Sequence, residues 1–130
     1  MNKVAHQNRD RCWAGCSLVI TGHAGIRDLQ AAHLGRPHST DVLSFAYAPL
    51  PPLTAWQGEV IVNLDRARAA GPRHRGIAYE LALYIAHGCQ HLSGADDATP
   101  AQRRTMRRIE TAWLREAEED GLISSLWPEY

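Results

Sequence analysis

The sequence has few aromatic residues, few cysteines and no net charge. Aromatic side chains make up 7% of its 130 residues, and there are 3 cysteines. An odd cysteine count without framework spacing argues against a disulfide-stapled secreted domain. The 14 basic residues balance 14 acidic ones, so the overall charge indicates neither a nucleic-acid partner nor a membrane surface.

Long apolar runs are also missing. No stretch reaches the roughly 20 apolar residues that a membrane-spanning helix needs, and the first residues lack the apolar segment of a signal peptide. We therefore expect no membrane partner and a location in the reducing cytoplasm. Apolar residues still make up 45% of the chain, which is enough for a core. The length predicts a single domain over residues 1–130.

Short segments rich in β-branched residues predict three strands. These are Ser17–Thr21, Asp41–Tyr47 and Glu59–Asn63, and the last two are expected to pair or to be neighbours. Residues 1–16 are polar and irregular in pattern, which predicts a short N-terminal arm.

Apolar residues at helical spacing predict the helices. The clearest are Ala24–Leu34, Ile77–Leu92, and a segment from Thr99–Pro100 to about Asp120. Thr99 is expected to cap the last of these, with Pro100 in its first turn. Leu64–Ala70 has the composition to begin a further helix.

The segment HGCQHLSGADD has the spacing of a metal-binding site. His87 and His91 stand four residues apart in the predicted Ile77–Leu92 helix. Residues at that spacing lie on one helix face, so both imidazoles can bind one cation. Gly94 then allows the backbone to turn back towards the same face.

The two aspartates that end this segment are both candidates for a third ligand. Asp96 or Asp97 can approach the ion once the chain has turned. Two histidines, one carboxylate and an open fourth position form a known catalytic zinc arrangement. A zinc protease with this histidine spacing uses a glutamate after the first histidine as its general base. Gly88 stands at that position, so the pattern disfavours a protease.

Two motifs resemble the YbeY family of endoribonucleases, the rRNA maturation factors. The family signature is HGxLHLxGYDH, and the present segment matches it at His87, Gly88, His91, Leu92, Gly94 and Asp96. It differs at Gln90, Ala95 and Asp97. The second family motif, TDVLSF, is present unchanged at residues 40–45, and GEVIVN at residues 58–63 resembles the strand that follows it.

The resemblance extends from about Ser17 to Leu114. Met106 and Glu110 resemble the spaced methionine and glutamate of the family's last helix. The fold implied is α+β, with a small mixed β-sheet packed with helices and a metal site on a central helix. The function implied is metal-dependent, single-strand-specific RNA cleavage in maturation of the 16S rRNA 3′ end and in ribosome quality control. The implied partners are rRNA and the small ribosomal subunit.

Carried over residue by residue, the family's three histidine ligands correspond to His87, His91 and Asp97. Asp96 matches the family's own aspartate and is expected to support the ligands rather than to bind the ion. The resemblance implies one zinc ion per chain. A carboxylate in the third place makes manganese or iron more competitive, because these harder ions favour oxygen ligands.

Other charged residues are candidates for supporting roles. Many family members have an arginine shortly before TDVLSF. Leu34 stands at the aligned position here, so Arg36 is the nearby candidate for catalysis and for RNA binding. Glu80, seven residues before the first histidine, is a candidate for orienting a ligand imidazole. Arg73 and Arg75 are further candidates for contacting the RNA backbone.

A basic cluster lies in the last predicted helix. It consists of Arg103, Arg104, Arg107 and Arg108. Charge runs of this kind are usually the solvated face of a helix, and we expect that role here.

A non-catalytic function is the alternative interpretation. The chain would then be a ribosome-assembly or RNA-binding factor whose metal site is altered or lost. The family usually has a strand and a helix before the segment that resembles Ser17–Thr21, so residues 1–16 either lack an edge strand or form a reduced version of these elements. The replaced third histidine, the displaced arginine and this short N-terminal segment favour the alternative.

Overall fold

The computed structural model describes residues 11–34 and 40–127 and has the α+β class that the sequence predicts. In chain order, its elements are β1 (Trp13–Thr21), α1 (His23–Leu34), β2 (Val42–Tyr47), β3 (Trp56–Asn63), α2 (Leu64–Ala70), α3 (Ile77–Leu92) and α4 (Pro100–Glu119). A short 3-10 helix, Gly71–Arg73, lies between α2 and α3. In the described part of the chain, no helix has both the length and the apolarity to cross a bilayer.

The three strands form a mixed sheet in the order β1-β3-β2. β2 runs antiparallel to β3, which confirms the predicted pairing, and β1 runs parallel to β3. β1 begins at Trp13, so the predicted irregular arm is wrong for Trp13–Cys16. The strand extends there because Trp13 and Cys16 pair with Trp56 and Gly58 of β3. That pairing depends on β3, so the composition of residues 13–16 alone does not predict it.

Helices cover both faces of the sheet. Val60 and Val62 of β3 pack towards α3, where Leu81 is fully buried against them. Ile61 points to the other face and packs with Ile26 of α1. This alternation follows from the period of two along a strand, and burying each such side chain stabilises the fold by roughly 1.5–3 kcal/mol.

Helix α3 lies close against the sheet at Gly88. A Cβ atom at this position would lie 2.8 Å from Val60 Cγ1, 2.9 Å from Val42 Cγ2 and 3.0 Å from Ser44 Oγ. Ser44 Oγ donates a hydrogen bond to the Gly88 carbonyl at 2.8 Å. The start of β2, within the TDVLSF segment, therefore lies directly against the helix turn that carries the two histidines.

Asn63 fixes the chain that leads into β2. Its buried side chain donates from Nδ2 to the Thr40 carbonyl at 3.0 Å, and its backbone N–H donates to the Asp41 carbonyl at 2.9 Å. Its Oδ1 accepts from the Arg66 backbone N–H at 3.2 Å, which caps α2. One residue thus joins the end of β3, the start of α2 and the entry to β2.

Helix α4 packs along α3. It begins as predicted, with Thr99 as N-cap in a capping box with Gln102 and with Pro100 in the first turn. Leu114 packs against Ala78 near the beginning of α3. The bounds of α2 and α3 are also those that the sequence predicts, because in both segments the pattern and the end signals agree.

Candidate metal centre

Three side chains converge where α3 ends and the following loop turns back. The Nε2 atoms of His87 and His91 are 3.1 Å apart, and Asp97 Oδ2 lies 3.6 Å from each of them. The two histidines sit on one face of α3, and Gly94, at φ 97°, allows the chain to return past them. The three residues form a group whose ligand atoms could hold one metal ion.

Both imidazoles are oriented by acceptors on the far side of the ring. His87 Nδ1 donates to Glu110 Oε1 at 2.6 Å, and His91 Nδ1 donates to the Ala95 carbonyl at 3.2 Å. Each ring therefore carries its proton on Nδ1, and the Nε2 lone pair is left free to face the cluster. This is the usual way in which a protein fixes the tautomer of a metal-binding histidine.

The spacing of these atoms fits a divalent cation. Ligands at about 2.0–2.1 Å from a tetrahedral zinc ion stand about 3.3–3.4 Å from one another, and the observed separations are 3.1, 3.6 and 3.6 Å. Two lone pairs and a carboxylate facing one another repel unless a proton or a cation lies between them. The donor set of two nitrogens and one oxygen suits zinc and leaves manganese and iron as alternatives.

Glu110 lies behind His87 and is itself held by Gln90. Both side chains are buried, at 5% and 2% exposure. Gln90 Nε2 donates to Glu110 Oε1 at 3.0 Å and to the Met106 carbonyl at 2.9 Å. The hydrogen bond to Glu110 raises the pKa of His87, and burial of the ring opposes that rise. Glu110 resembles a family glutamate in the sequence, but its contact with His87 depends on the packing of α4 on α3.

Asp96 supports the loop and does not join the cluster. Its Oδ1 accepts from the Asp97 backbone N–H at 2.8 Å. Arg103 Nη1 donates to the Asp97 carbonyl at 3.1 Å. The backbone of Asp97 is therefore held on both sides, while its carboxylate faces the two histidines.

Glu80 lies in another part of α3. Its side chain is buried at 3% exposure and pairs with His74 Nδ1. Burial, together with the Glu80 carboxylate, raises the pKa of Tyr84. The residue bonded to His87 is Glu110. The seven-residue spacing that suggested Glu80 places it on the same side of the helix, but two turns away from the cluster.

Gly88 occupies the position at which a zinc protease has its catalytic glutamate, and this position faces the sheet. The direction in which a side chain would leave Gly88 points at Val42, Ser44 and Val60 rather than at the cluster. A glutamate at this position could not reach the three convergent ligand atoms without displacing β2 or β3. The geometry therefore agrees with the sequence in disfavouring a protease.

Two openings reach the cluster from solvent. One is lined by residues 40–44 together with His87, His91 and Asp97. The other is lined by Arg103, Met106, Arg107 and Glu110 together with His87 and Asp97. The basic cluster of the last helix, which we expected to be only a solvated face, therefore borders the candidate site. The sequence did not predict this proximity.

The other predicted RNA contacts lie elsewhere. Arg73 and Arg75 precede α3, whereas the histidines stand in its last turns, about 15 Å further along the helix axis. Arg75 forms an ion pair with Glu118 and its guanidinium lies 4.4 Å from the centre of the Tyr79 ring. The structure brings neither residue to the cluster. Arg36 lies outside the described residues.

The sequence is similar to known proteins over most of its length. A family model described as Endoribonuclease YbeY matches residues 2–118. A protein of that name from an Anaeromyxobacter species is 39% identical over 116 residues, which cover 88% of this chain and 59% of the relative. Another from Salinibacter ruber is 39% identical over 108 residues, which cover 75% of this chain and 67% of the relative. The chain therefore spans about three fifths to two thirds of these relatives.

A solved structure has a similar fold. The solution structure of TM1509 from Thermotoga maritima matches with a TM-score of 0.57 and 20% sequence identity. The match covers 91% of this chain and 76% of that chain. At this identity, the likeness bears on the fold alone.

Proposed function

The chain belongs to the Endoribonuclease YbeY family, and on that premise we propose that it is a metal-dependent endoribonuclease. Its substrate is single-stranded RNA in rRNA maturation, at the 3′ end of 16S rRNA, and its setting is the small ribosomal subunit in the cytoplasm. The observation that carries the proposal is the convergence of His87 Nε2, His91 Nε2 and Asp97 Oδ2 within 3.1–3.6 Å of one another.

We assign one metal ion to His87, His91 and Asp97, with zinc as the expected ion and manganese or iron as alternatives. When bound, such an ion supplies a Lewis acid that activates water and neutralises charge on the phosphodiester. Asp97 lowers the net positive charge of the site by one compared with a third histidine. That change favours harder ions, which accept oxygen ligands readily.

The remaining residues orient these ligands and shape access to them. Glu110 and the Ala95 carbonyl hold the two imidazoles in the tautomer that frees Nε2. Asp96 holds the backbone of Asp97. The opening lined by residues 40–44 borders the cluster on the side of β2.

Metal content tests the ligand assignment. The full chain, purified without chelator or histidine tag, is compared with Asp97→Ala and with Asp96→Ala by elemental mass spectrometry. We expect about one ion per chain in the unmodified protein, a smaller loss of metal in Asp96→Ala, which only loosens the backbone of Asp97, and strongly reduced metal in Asp97→Ala. As much metal in Asp97→Ala as in the unmodified protein would show that Asp97 is not a ligand.

Cleavage of a single-stranded RNA oligonucleotide then tests the activity. We expect cleavage by the metal-loaded chain, loss of cleavage in Asp97→Ala and a smaller reduction in Asp96→Ala, with circular dichroism showing that each variant is folded. Failure of the unmodified chain to take up metal, even when metal is added, would support a non-catalytic assembly or RNA-binding factor instead.

A further inference from the structure

The first half of α4 presents a strongly basic surface next to the metal cluster. We define the α4 arginine patch as Arg103, Arg104, Arg107 and Arg108, all of which are exposed. Residues 99–109 contain these four arginines and no acidic residue, in a chain whose overall charge is zero. This stretch is therefore locally basic although the chain as a whole has no net charge.

The patch is continuous with the candidate site. Arg103 and Arg107 line the same opening as His87 and Asp97. Arg103 and Arg107 stand four residues apart, and so do Arg104 and Arg108. Each pair forms an i, i+4 row, and the two rows lie side by side on the surface of α4. The patch thus extends from the edge of the cluster across the outer surface of α4.

In the described part of the chain, no carboxylate neutralises the arginines of the patch. Within residues 11–34 and 40–127, no carboxylate lies within ion-pair distance of Arg104, Arg107 or Arg108. Arg103 donates to the carbonyls of Asp97 and Ala98, which are uncharged. Glu110, the next acidic residue, is buried and already accepts from His87 and Gln90.

Two arginines elsewhere in the described chain do form ion pairs. Arg66 pairs with Asp41, and Arg75 pairs with Glu118. The four guanidinium groups of the patch, in adjacent turns, repel one another. A polyanion laid across them removes that repulsion and gains charge-assisted hydrogen bonds.

We propose that the α4 arginine patch binds the phosphates of the RNA strand and leads that strand into the metal cluster. This inference rests on the proposed function and specifies the side from which the substrate enters. The ligand class is a phosphodiester backbone read by charge, so binding is independent of base sequence and falls steeply with salt.

The test compares RNA affinity among matched charge variants of the full, metal-loaded chain. The patch variant carries Arg104→Ala, Arg107→Ala and Arg108→Ala, and leaves Arg103 in place because it holds the loop that bears Asp97. The control removes the same charge at three other exposed positions, Arg27, Arg68 and Arg115. A third variant, Arg73→Ala with Arg75→Ala, removes the arginines that the sequence suggested.

Affinity is measured by fluorescence anisotropy of a labelled, unstructured RNA oligonucleotide over a range of salt concentrations, and the RNA is checked for cleavage on a gel. We expect the patch variant to bind about 10-fold or more weakly. Its salt slope should be about two units shallower, because each phosphate that is no longer neutralised accounts for roughly 0.7. The control and the Arg73–Arg75 variant should bind like the unmodified chain. Metal content should be equal in all four proteins.

The outcomes separate this inference from the proposed function. If the unmodified chain binds and cleaves RNA but the patch variant binds as tightly as the control, the strand enters by another route and the inference is wrong. Loss of binding in the Arg73–Arg75 variant alone would place the RNA at the far end of α3 and would also overturn it. If the unmodified chain neither binds nor cleaves RNA, the proposed function fails first and the inference falls with it.

Discussion

Gln90 and Glu110 share a buried hydrogen bond that joins the end of α3 to the middle of α4. Gln90 Nε2 donates to Glu110 Oε1 at 3.0 Å, and the same oxygen accepts from His87 Nδ1 at 2.6 Å. Gln90 therefore acts on His87 through Glu110. Its own Oε1 is buried without a hydrogen-bond partner among the described residues, which destabilises the fold by about 1–3 kcal/mol relative to a satisfied group.

Gln90→Leu is expected to weaken metal binding with little effect on the stability of the metal-free protein. The leucine removes a buried unsatisfied oxygen but also the two hydrogen bonds that Gln90 donates to Glu110 and to the Met106 carbonyl. These effects oppose one another, so the unfolding temperature of the metal-free protein should change little. Loss of the hydrogen bond to Glu110 loosens the orientation of His87. We expect metal affinity, measured by competition with a chromophoric chelator, to fall about 10-fold.

A Glu110→Gln background provides the control for this effect. Glu110→Gln alone should weaken metal binding by about 10–100-fold, because its side chain can no longer accept a charge-assisted hydrogen bond from His87. Adding Gln90→Leu to that variant should then change metal affinity little. Equal effects of Gln90→Leu in both backgrounds would mean that Gln90 acts by some route other than Glu110.

Asp97→His is expected to change which metal the site prefers. A third imidazole replaces the only oxygen ligand of the proposed set, and nitrogen ligands favour zinc over manganese. Competition titrations should show the zinc-to-manganese affinity ratio rising by about 10-fold or more. Asp96→His serves as the control and should leave the ratio unchanged, because Asp96 bonds to the backbone of Asp97 and not to the cluster. An unaltered ratio in Asp97→His would argue against Asp97 as a ligand.

Gly88→Ala is expected to destabilise the protein although alanine is the better helix former. The added methyl group would lie 2.8–3.0 Å from two β-branched valines and from Ser44 Oγ, and such side chains are stiff. Overpacking of this kind costs about 1–3 kcal/mol, which exceeds the gain of about 1 kcal/mol in helix propensity. Urea unfolding of the metal-free protein measures the difference. A gain in stability would show that α3 can move away from the sheet.

Glu80→Gln is expected to affect stability without affecting the metal. Glu80 pairs with His74 and lies about two helical turns from the cluster. The free energy of unfolding should fall by about 1–2 kcal/mol, because the interaction between the buried Glu80 side chain and His74 is weakened. Metal affinity should stay within a factor of about 2, in contrast to Glu110→Gln. A large loss of metal in Glu80→Gln would restore the orienting role that the sequence suggested.

The local parts of the site could be predicted from the sequence. The i, i+4 spacing of the histidines, the helix that bears them and the glycine after it depend on interactions within a few residues. The same is true of the Thr99 cap of α4. These features follow from backbone geometry that short sequence patterns specify directly.

The parts that depend on packing between elements could not be predicted in this way. Glu80 and Glu110 are both acidic residues on helices, and only the docking of α4 on α3 decides that Glu110 is the one that meets His87. Arg103 and Arg107 formed a recognisable charge run, but its position beside the cluster also follows from that docking. The first residues of β1 were missed because their pairing partner lies more than 40 residues away along the chain.

The three proposed ligands all lie between residues 87 and 97, so an unfolded chain still holds them in one short segment and retains some affinity for the ion. Binding to the unfolded state reduces the stabilisation that any ligand can give. Glu110 comes to this arrangement from a more distant segment when the chain folds, and it acts on one imidazole. We therefore expect the ion to raise the unfolding temperature by less than its affinity for the folded chain would imply, and metal depletion to leave most of the fold intact.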